Sequence, residues 1–286
     1  MSMSESQPAN RAALDELPLT SDMALRREWE ISRNAPIGPQ RLADDTIVVD
    51  KDGWYRTLTP SSPWPASNEA LFSNLDERNA DAQIDEVVSE YQRLGLPVTW
   101  CAYPWTRPQD LGARLLARGA TQSAIRAFLC SSSLPLAPVE GVEVEQVDPN
   151  SGEAYDTYIN LMSTGFDLPE GEKAFRRRRY HQLSTGPSPC MRLFIARRDG
   201  IVAGCQALVT KSGSGHLTGG YILPAFRAYG VFQSLIAAGL RALRELGIPT
   251  ATGHSNETSA FWVDRFGFKT LFTYSIYQLD PPSAAG

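Results

Sequence analysis

The chain has 286 residues, 42% hydrophobic and 21% charged, which is ordinary globular composition and long enough for two domains that bury roughly three quarters of the unfolded surface. A net charge of -5 argues against a broad nucleic-acid-binding face, because neutralising phosphates takes basic surface. Four scattered cysteines (Cys101, Cys130, Cys190, Cys205) with no Cys-x-x-Cys pair argue against a zinc or redox motif and are expected as reduced, mostly buried thiols.

Taken in order, residues 1–5 lack the positive charge and apolar core of a signal peptide, and no apolar run reaches the ~18 residues of a membrane span. The expectation is a cytoplasmic protein with no membrane partner. Residues 1–20, polar and small, read as a flexible tail, and 21–34 as a helix capped by Ser21 or Asp22. Residues 46–50 and 54–58 have the pattern of a hairpin turning at Asp52-Gly53. Pro60, Pro63 and Pro65 mark a loop, and 70–72 a short strand. The spacing of Ile84, Val87, Val88 and Tyr91 predicts an amphipathic helix over 80–94, ended by Gly95. A buried strand over 97–103 comes next, then a helix opening at Thr106-Arg107-Pro108-Gln109 with proline in its first turn, ended by Gly119, and a strand over 124–130. Residues 131–138, rich in Ser and Pro, read as an interdomain linker dividing the chain into domains 21–136 and 137–286.

The second domain opens with a strand over 142–147, helices over 150–165 and 169–184, and a hairpin of 191–197 and 201–210 across Asp199-Gly200. A strand over 216–223 ends at Pro224, which has no N–H to give a ladder. Arg227-Ala228-Tyr229-Gly230-Val231-Phe232 then leads directly into a helix whose apolar residues Phe232, Leu235, Ile236, Leu240, Leu243 and Leu246 recur every three or four positions. A strand over 250–254, a helix from Asn256 and a final strand complete the order β, α, α, β, β, β, α, β, α, β. The first N–H groups of a helix have no partner within it, and its dipole adds positive potential. A strand-to-helix turn bearing Arg227 and Gly230 therefore suits a phosphate.

The run from Pro224 to Gly230 resembles the acetyl-CoA-binding turn of the GNAT (GCN5-related) N-acetyltransferases: proline, two residues, then Arg or Gln-x-x-Gly-x-Gly or Ala. Phe232 stands where that pattern has a small residue. Asn256, ten intervening residues and Gly267-Phe268 resemble the family's second signature, and the element order is that of its fold. Leu94-Gly95-Leu96-Pro97 and Leu246-Gly247-Ile248-Pro249 occupy equivalent places in the two halves, which look like copies. Residues 100–104 and 107–111 resemble the degenerate N-terminal half of tandem GNAT proteins. The resemblance covers about residues 45–280. It implies an α/β (α+β) fold of two GNAT-like domains in tandem, each a mixed, mostly antiparallel sheet flanked by helices. It also implies acetyl-CoA as acyl donor, without a metal, bound by Tyr221, Ile222, Leu223, Arg227, Ala228, Tyr229, Gly230, Val231, Phe232 and Asn256. The first half has no glycine between Leu71 and Ile84 and no Arg-x-x-Gly, and is expected to bind no coenzyme A.

Val263 is the clearest departure, since family members often carry a tyrosine four residues before Gly-Phe whose phenol protonates the leaving thiolate; Tyr221, Ser255, Ser259 or water are the substitutes. An acceptor ammonium must first lose a proton, which a group titrating near 7 does best. His254 and His216 lie on the strands flanking the turn, and His181 on the second helix of the domain; for each, a structural histidine is the alternative. No His-x-x-x-His pair suggests a metal. Gly219-Gly220 is either a plain bulge or a place where the pantetheine arm approaches. Asn256 is a helix N-cap and, through the resemblance, a pantetheine contact, because the cap uses only its oxygen. Residues 176–179, all arginine, spread around a helix, so at least two face solvent; the alternative is attraction of an acidic acceptor or of phosphates.

The function expected is an acyltransferase moving acetyl from acetyl-CoA to the amine of a small molecule or peptide by direct attack in a ternary complex, in a monomer or homodimer. His254, Tyr221, His216 and Ser259 are its catalytic candidates. The other readings are different acyl-CoA chemistry, such as a longer acyl group or decarboxylation, and a non-catalytic coenzyme-binding or regulatory protein.

Overall fold

The computed structural model describes residues 43–281 apart from Asp52 and Ser212, so the expected tail and the helix over 21–34 lie outside the described residues. Those described form two compact units, 43–125 with 272–281, and 126–271.

The first unit contains β1 (Ile47–Lys51), β2 (Trp54–Leu58), β3 (Glu69–Ser73), α1 (Ala80–Arg93), β4 (Val98–Ala102), α2 (Leu111–Leu116) and the opening residues of β5 (Thr121–Ser131). β1 and β2 form the expected hairpin, with Lys51 opposite Trp54 and Gly53 in the left-handed region. β2 and β3 are antiparallel, and β3 and β4 parallel. The last residues of β11 (Lys269–Leu279) pair antiparallel with β4, from Ser275↔Ala102 to Leu279↔Val98. The second half of β11 thus belongs to this unit. α1 buries Ile84, Val87, Val88 and Tyr91, as their spacing predicts, in a core shared with Trp54, Trp100 and Tyr277.

One expected element is corrected. The second helix of this unit opens at Leu111 with Asp110 as N-cap, not at Thr106, and the Arg107–Pro108 peptide is cis. A residue before proline is steered away from helical backbone, and Thr106 Oγ1 accepts a hydrogen bond from the Tyr103 N–H (2.9 Å) inside the loop rather than capping a helix.

The second unit contains the rest of β5, then β6 (Val142–Gln146), α3 (Gly152–Gly165), α4 (Glu170–Thr185), β7 (Met191–Arg198), β8 (Ile201–Lys211), β9 (Ser214–Ile222), α5 (Val231–Glu245), β10 (Thr250–Asn256) and α6 (Glu257–Arg265). Its strand order is β5-β10-β9-β8-β7-β6, antiparallel from β6 to β9 and parallel between β9 and β10. Asp199 (φ 51) and Gly200 (φ 77) supply the two left-handed residues that the β7–β8 turn needs. One core holds α5 through Leu235, Ile236, Leu240 and Leu243; another packs α3 and α4 through Tyr158, Ile159 and Tyr180 on Ile195 and Cys205.

Residues 131–138, read from their composition as a linker, lie inside this unit. Leu134, Leu136 and Val139 pack on the α5 core, the Val139 N–H donates to Ser234 Oγ (2.9 Å), and Gln233 Nε2 donates to Ala137 O (2.8 Å). The units divide between Ile125 and Arg126, and again between Leu271 and Phe272, where the sequence reading placed one boundary near 137. Serine and proline mark irregular backbone, but the apolar side chains among them decide that it packs.

Candidate active site

The site grows from a gap in the sheet of the second unit. β9 and β10 are in register at only three pairs, Gly215↔Ala251, His216↔Thr252 and Leu217↔Gly253. From Thr218 and His254 onward the two strands separate into a wedge. The cause lies on the other side of β9: Cys205 and Ala207 of β8 face Tyr221 and Thr218, so β9 carries an extra residue. Gly219 (φ 63) takes up that bulge, which bends the strand. On the opposite wall Asn256 ends β10 and caps α6, its Oδ1 accepting from the Ser259 N–H (3.1 Å) and from Ser259 Oγ (3.0 Å). The two donors of its Nδ2 amide play no part in the cap.

At the mouth of the wedge β9 gives way to a 3₁₀ turn, Pro224–Phe226, and then to α5. Gly230 is the N-cap of α5 (φ 79, ψ 3), and no side chain caps the first turn. The N–H groups of Val231, Phe232 and Gln233 have no acceptor within the helix, and Arg227 stands before them. Glycine is required at 230 on two counts: a Cβ would lie 2.5 Å from Val139, and the backbone is left-handed. Ala228 (φ 69) is left-handed as well, uncommon for a residue with a side chain. A groove of about 380 Å³ runs over the turn, lined by Tyr221, Ile222, Arg227, Ala228, Gly230, Val231 and Phe232 on one side and by Asn256, Thr258 and Trp262 on the other.

Behind this groove an inner cavity of about 270 Å³ fills the wedge, and the two share Phe166, Gly220, Phe232, Asn256 and Ser259. His216, His254, Ser255, Gln206 and Val263 line it, with Phe128, Leu217, Ile236 and Phe268. His216 is buried, its Nδ1 3.0 Å from Thr252 Oγ1, and its ring meets that of His254 edge-on (centroids 5.3 Å apart, 81°).

The structure therefore brings His216, His254 and Ser259 together in the inner cavity and sets Tyr221 in the outer groove, packed over Gly165. Eight of the ten residues expected at a coenzyme line the groove. Leu223 and Tyr229 line neither space: Leu223 packs on the α3–α4 core and donates its N–H to Ala203 O (2.9 Å), while Tyr229 is exposed beside the Arg198 guanidinium (4.9 Å from its ring). Val263 is buried against the inner cavity and offers no hydroxyl there. His181 lies at neither space, its Nε2 3.3 Å from Asn150 Oδ1. Within 176–179, Arg177 and Arg178 are exposed, but Arg176 points inward, with Nε 2.6 Å from Glu172 Oε1 and Nη1 3.3 Å from the Tyr180 hydroxyl. Burial pushes the thiols of Cys130 and Cys205 up to about 12, so neither is a thiolate near neutral pH.

Sequence reasoning passed over Gln206, Phe166, Thr258 and Trp262. Gln206 had a signal, as the one polar side chain inside the apolar run 201–209. Thr258 and Trp262, four apart on the helix that Asn256 caps, share one face of it; nothing in the sequence marked Phe166. Among the described residues no group of three or more His, Cys, Asp or Glu is placed to hold a metal ion, and no helix is long and apolar enough to cross a membrane.

No protein-family model and no curated protein matches this sequence. Solved structures are similar to it. They include a GCN5-related N-acetyltransferase from Kribbella flavida (14% identity, TM-score 0.63, covering 90% of this chain and 96% of that one). A tandem GNAT protein from the clavulanic acid biosynthesis pathway (without AcCoA) is similar at 13% identity and TM-score 0.57, over 86% of this chain and 87% of its own. A functionally unknown conserved protein from Staphylococcus epidermidis is similar at 13% identity and TM-score 0.65, over 85% and 98%. These likenesses extend across both units, and the fold that the chain shares with its acetyltransferase neighbours is the GNAT fold.

Proposed function

We propose that the second unit moves an acetyl group from acetyl-CoA to the amine of a small molecule or peptide by direct attack in a ternary complex. The observation that carries this reading is the wedge between β9 and β10 opening onto the uncapped N-terminus of α5 beside Arg227. The donors present fit a coenzyme A thioester. The orphan N–H groups of Val231, Phe232 and Gln233, with Arg227, suit the pyrophosphate. The β9 edge over 218–222 and the Asn256 amide suit the amide-bearing pantetheine arm.

In the reaction the amine nitrogen bonds to the thioester carbonyl carbon, the C–S bond breaks, and the products are an amide and coenzyme A. A β9 amide facing the wedge polarises the carbonyl. His254 takes the proton that the amine loses, and His216, tied to Thr252, positions it. Ser259 Oγ is committed to Asn256, which leaves Tyr221 in the groove to protonate the departing thiolate. With Cys130 and Cys205 protonated, neither supplies an acyl-enzyme route. Holding thioester and amine together in the wedge contributes much of the acceleration.

A thermal-shift titration with acetyl-CoA tests the reading. Ligand at one hundred times Kd stabilises by about 2.7 kcal/mol, and at roughly 2–4 °C per kcal/mol the melting midpoint rises by about 5–10 °C. Arg227→Ala is expected to lose most of that shift. In a thiol-release assay with an amine panel, His254→Ala lowers kcat by about 10²–10⁴-fold and removes the acidic limb of the pH profile, because the base acts only when deprotonated. No shift with saturating acetyl-CoA overturns the reading.

A further inference from the structure

We infer that the acyl group this site fits best is longer than acetyl, its tail lodged in the inner cavity behind Phe232 and a hydroxyl on that tail donating to Gln206; the inference rests on the acyl-transfer reading above and changes only the length of the acyl group. The cavity of about 270 Å³ continues the groove through the neck formed by Phe166, Gly220, Phe232, Asn256 and Ser259. One water takes about 30 Å³ of liquid volume, so an acetyl group, three heavy atoms in all, leaves room in this space for a longer chain beside the acceptor amine. The apolar part of its lining, Phe128, Leu217, Ile236, Val263 and Phe268, gains contacts from each further methylene of a longer chain.

Leu217, Ile236, Val263, Phe128 and Phe268 give apolar walls, the last two with stacked rings 5.1 Å apart. Val263 keeps the cavity open where a larger side chain would fill it. At Gly220 a Cβ would touch the Phe232 ring at ordinary contact distance, 3.6 Å, and so narrow the neck. Phe232, the residue that departs from the small side chain of the resembling motif, thereby becomes the collar between coenzyme groove and acyl pocket.

Among these walls stands the amide side chain of Gln206. It is only 3% exposed, it lines the cavity, and its Oε1 has no hydrogen-bond partner among the described residues. A buried amide oxygen left unpaired is costly, and a donor on the ligand removes that cost. Its place in the middle of β8, opposite the β9 bulge, holds it at the cavity wall. The transfer itself is unchanged: the same C–S bond breaks and the same C–N bond forms.

Calorimetric titration of the full chain with coenzyme A, acetyl-CoA, butyryl-CoA and 3-hydroxybutyryl-CoA tests this. Butyryl-CoA is expected to bind about tenfold more tightly than acetyl-CoA, from two further buried methylenes. 3-Hydroxybutyryl-CoA is expected to bind at least as tightly as butyryl-CoA, and in Gln206→Leu to fall about tenfold behind it. Val263→Phe is expected to reverse the preference for length. Equal binding of all acyl lengths, or acetyl tightest, overturns the inference and leaves the acyltransferase reading standing. A hydroxylated chain weaker than butyryl in the unmodified protein overturns the role of Gln206. No binding by coenzyme A itself overturns both readings. The length comparison needs only the unmodified protein, so a misfolded variant does not obscure it.

Discussion

The two units build the same succession of elements, β3-α1-β4-α2 and β9-α5-β10-α6, with β3 parallel to β4 as β9 is to β10. Their helices also end alike. Gly95 (φ 68) donates to Gln92 O and Leu96 to Tyr91 O, as Gly247 (φ 69) donates to Arg244 O and Ile248 to Leu243 O. Yet the wedge that stands open in the second unit is closed in the first. There the fully buried Trp100 fills the gap and donates Nε1 to Ser73 Oγ (2.9 Å), Asn74 bridges Arg107, and the Leu75 N–H reaches Arg107 O (3.0 Å). The strand-to-helix turns differ in charge as well. Asp76, Glu77 and Arg78 occupy the first, where Asp76 and Arg78 satisfy each other, and the second offers Arg227 and glycine. One backbone plan thus carries a filled turn with its own Asp76–Arg78 ion pair in one unit and a hollow, electropositive turn in the other. Side-chain volume and charge, not topology, separate them.

The largest expected effect comes from emptying the filled wedge. Trp100→Ala removes a fully buried ring, at a cost of about 3–5 kcal/mol in denaturant unfolding, while the affinity for acetyl-CoA and its one-to-one stoichiometry stay unchanged. Loss of binding in that variant would break the contrast by showing that the first wedge takes part in it. A smaller effect is expected on the open side. Asn256→Ala removes the α6 cap and lowers stability by about 1 kcal/mol, and it weakens acetyl-CoA binding as well; Asn256→Asp keeps the cap and lacks the amide donors. If the Asp variant bound as tightly as wild type, the cap alone would account for Asn256.

The smallest effect concerns the turn of the first unit. Hydrogen bonds from the Arg78 side chain and backbone hold the Asp76 carboxyl down at about 2. A carboxyl depressed in the folded state adds stability above its unfolded pKa of about 3.9. That contribution fades as pH falls from about 4 through 2. A carbon-detected NMR titration should place Asp76 well below the other aspartates and return it to the ordinary range in Arg78→Ala. An ordinary titration in wild type would mean that the Asp76–Arg78 ion pair does not form.

Much of this was legible in the sequence because it is local. The Asp199-Gly200 turn, the stops at Gly95, Gly119, Gly247 and Gly267, the cap at Asn256 and the turn from Pro224 to Gly230 each depend on a few neighbouring residues. The α2 start was misplaced because a proline near a helix start fits both N1 and the turn before the helix. The linker was misplaced because composition does not report which apolar side chains find a core. Of the site, Phe232 and Val263 were legible as departures from a motif, but not as the collar and wall of one cavity. Gln206 was visible as a polar residue in an apolar strand; which way it faces depends on the bulge in the neighbouring strand.

By itself the sequence determined the order of the elements, their ends, and the glycines and proline that shape the turn before α5, since backbone conformation and helical period act over a few residues. The tertiary structure alone decided three things: that β11 pairs with β4, that the unit boundary falls inside β5, and that one wedge is filled while the other is hollow. These depend on side chains far apart in the chain meeting or failing to meet, and no local pattern records that.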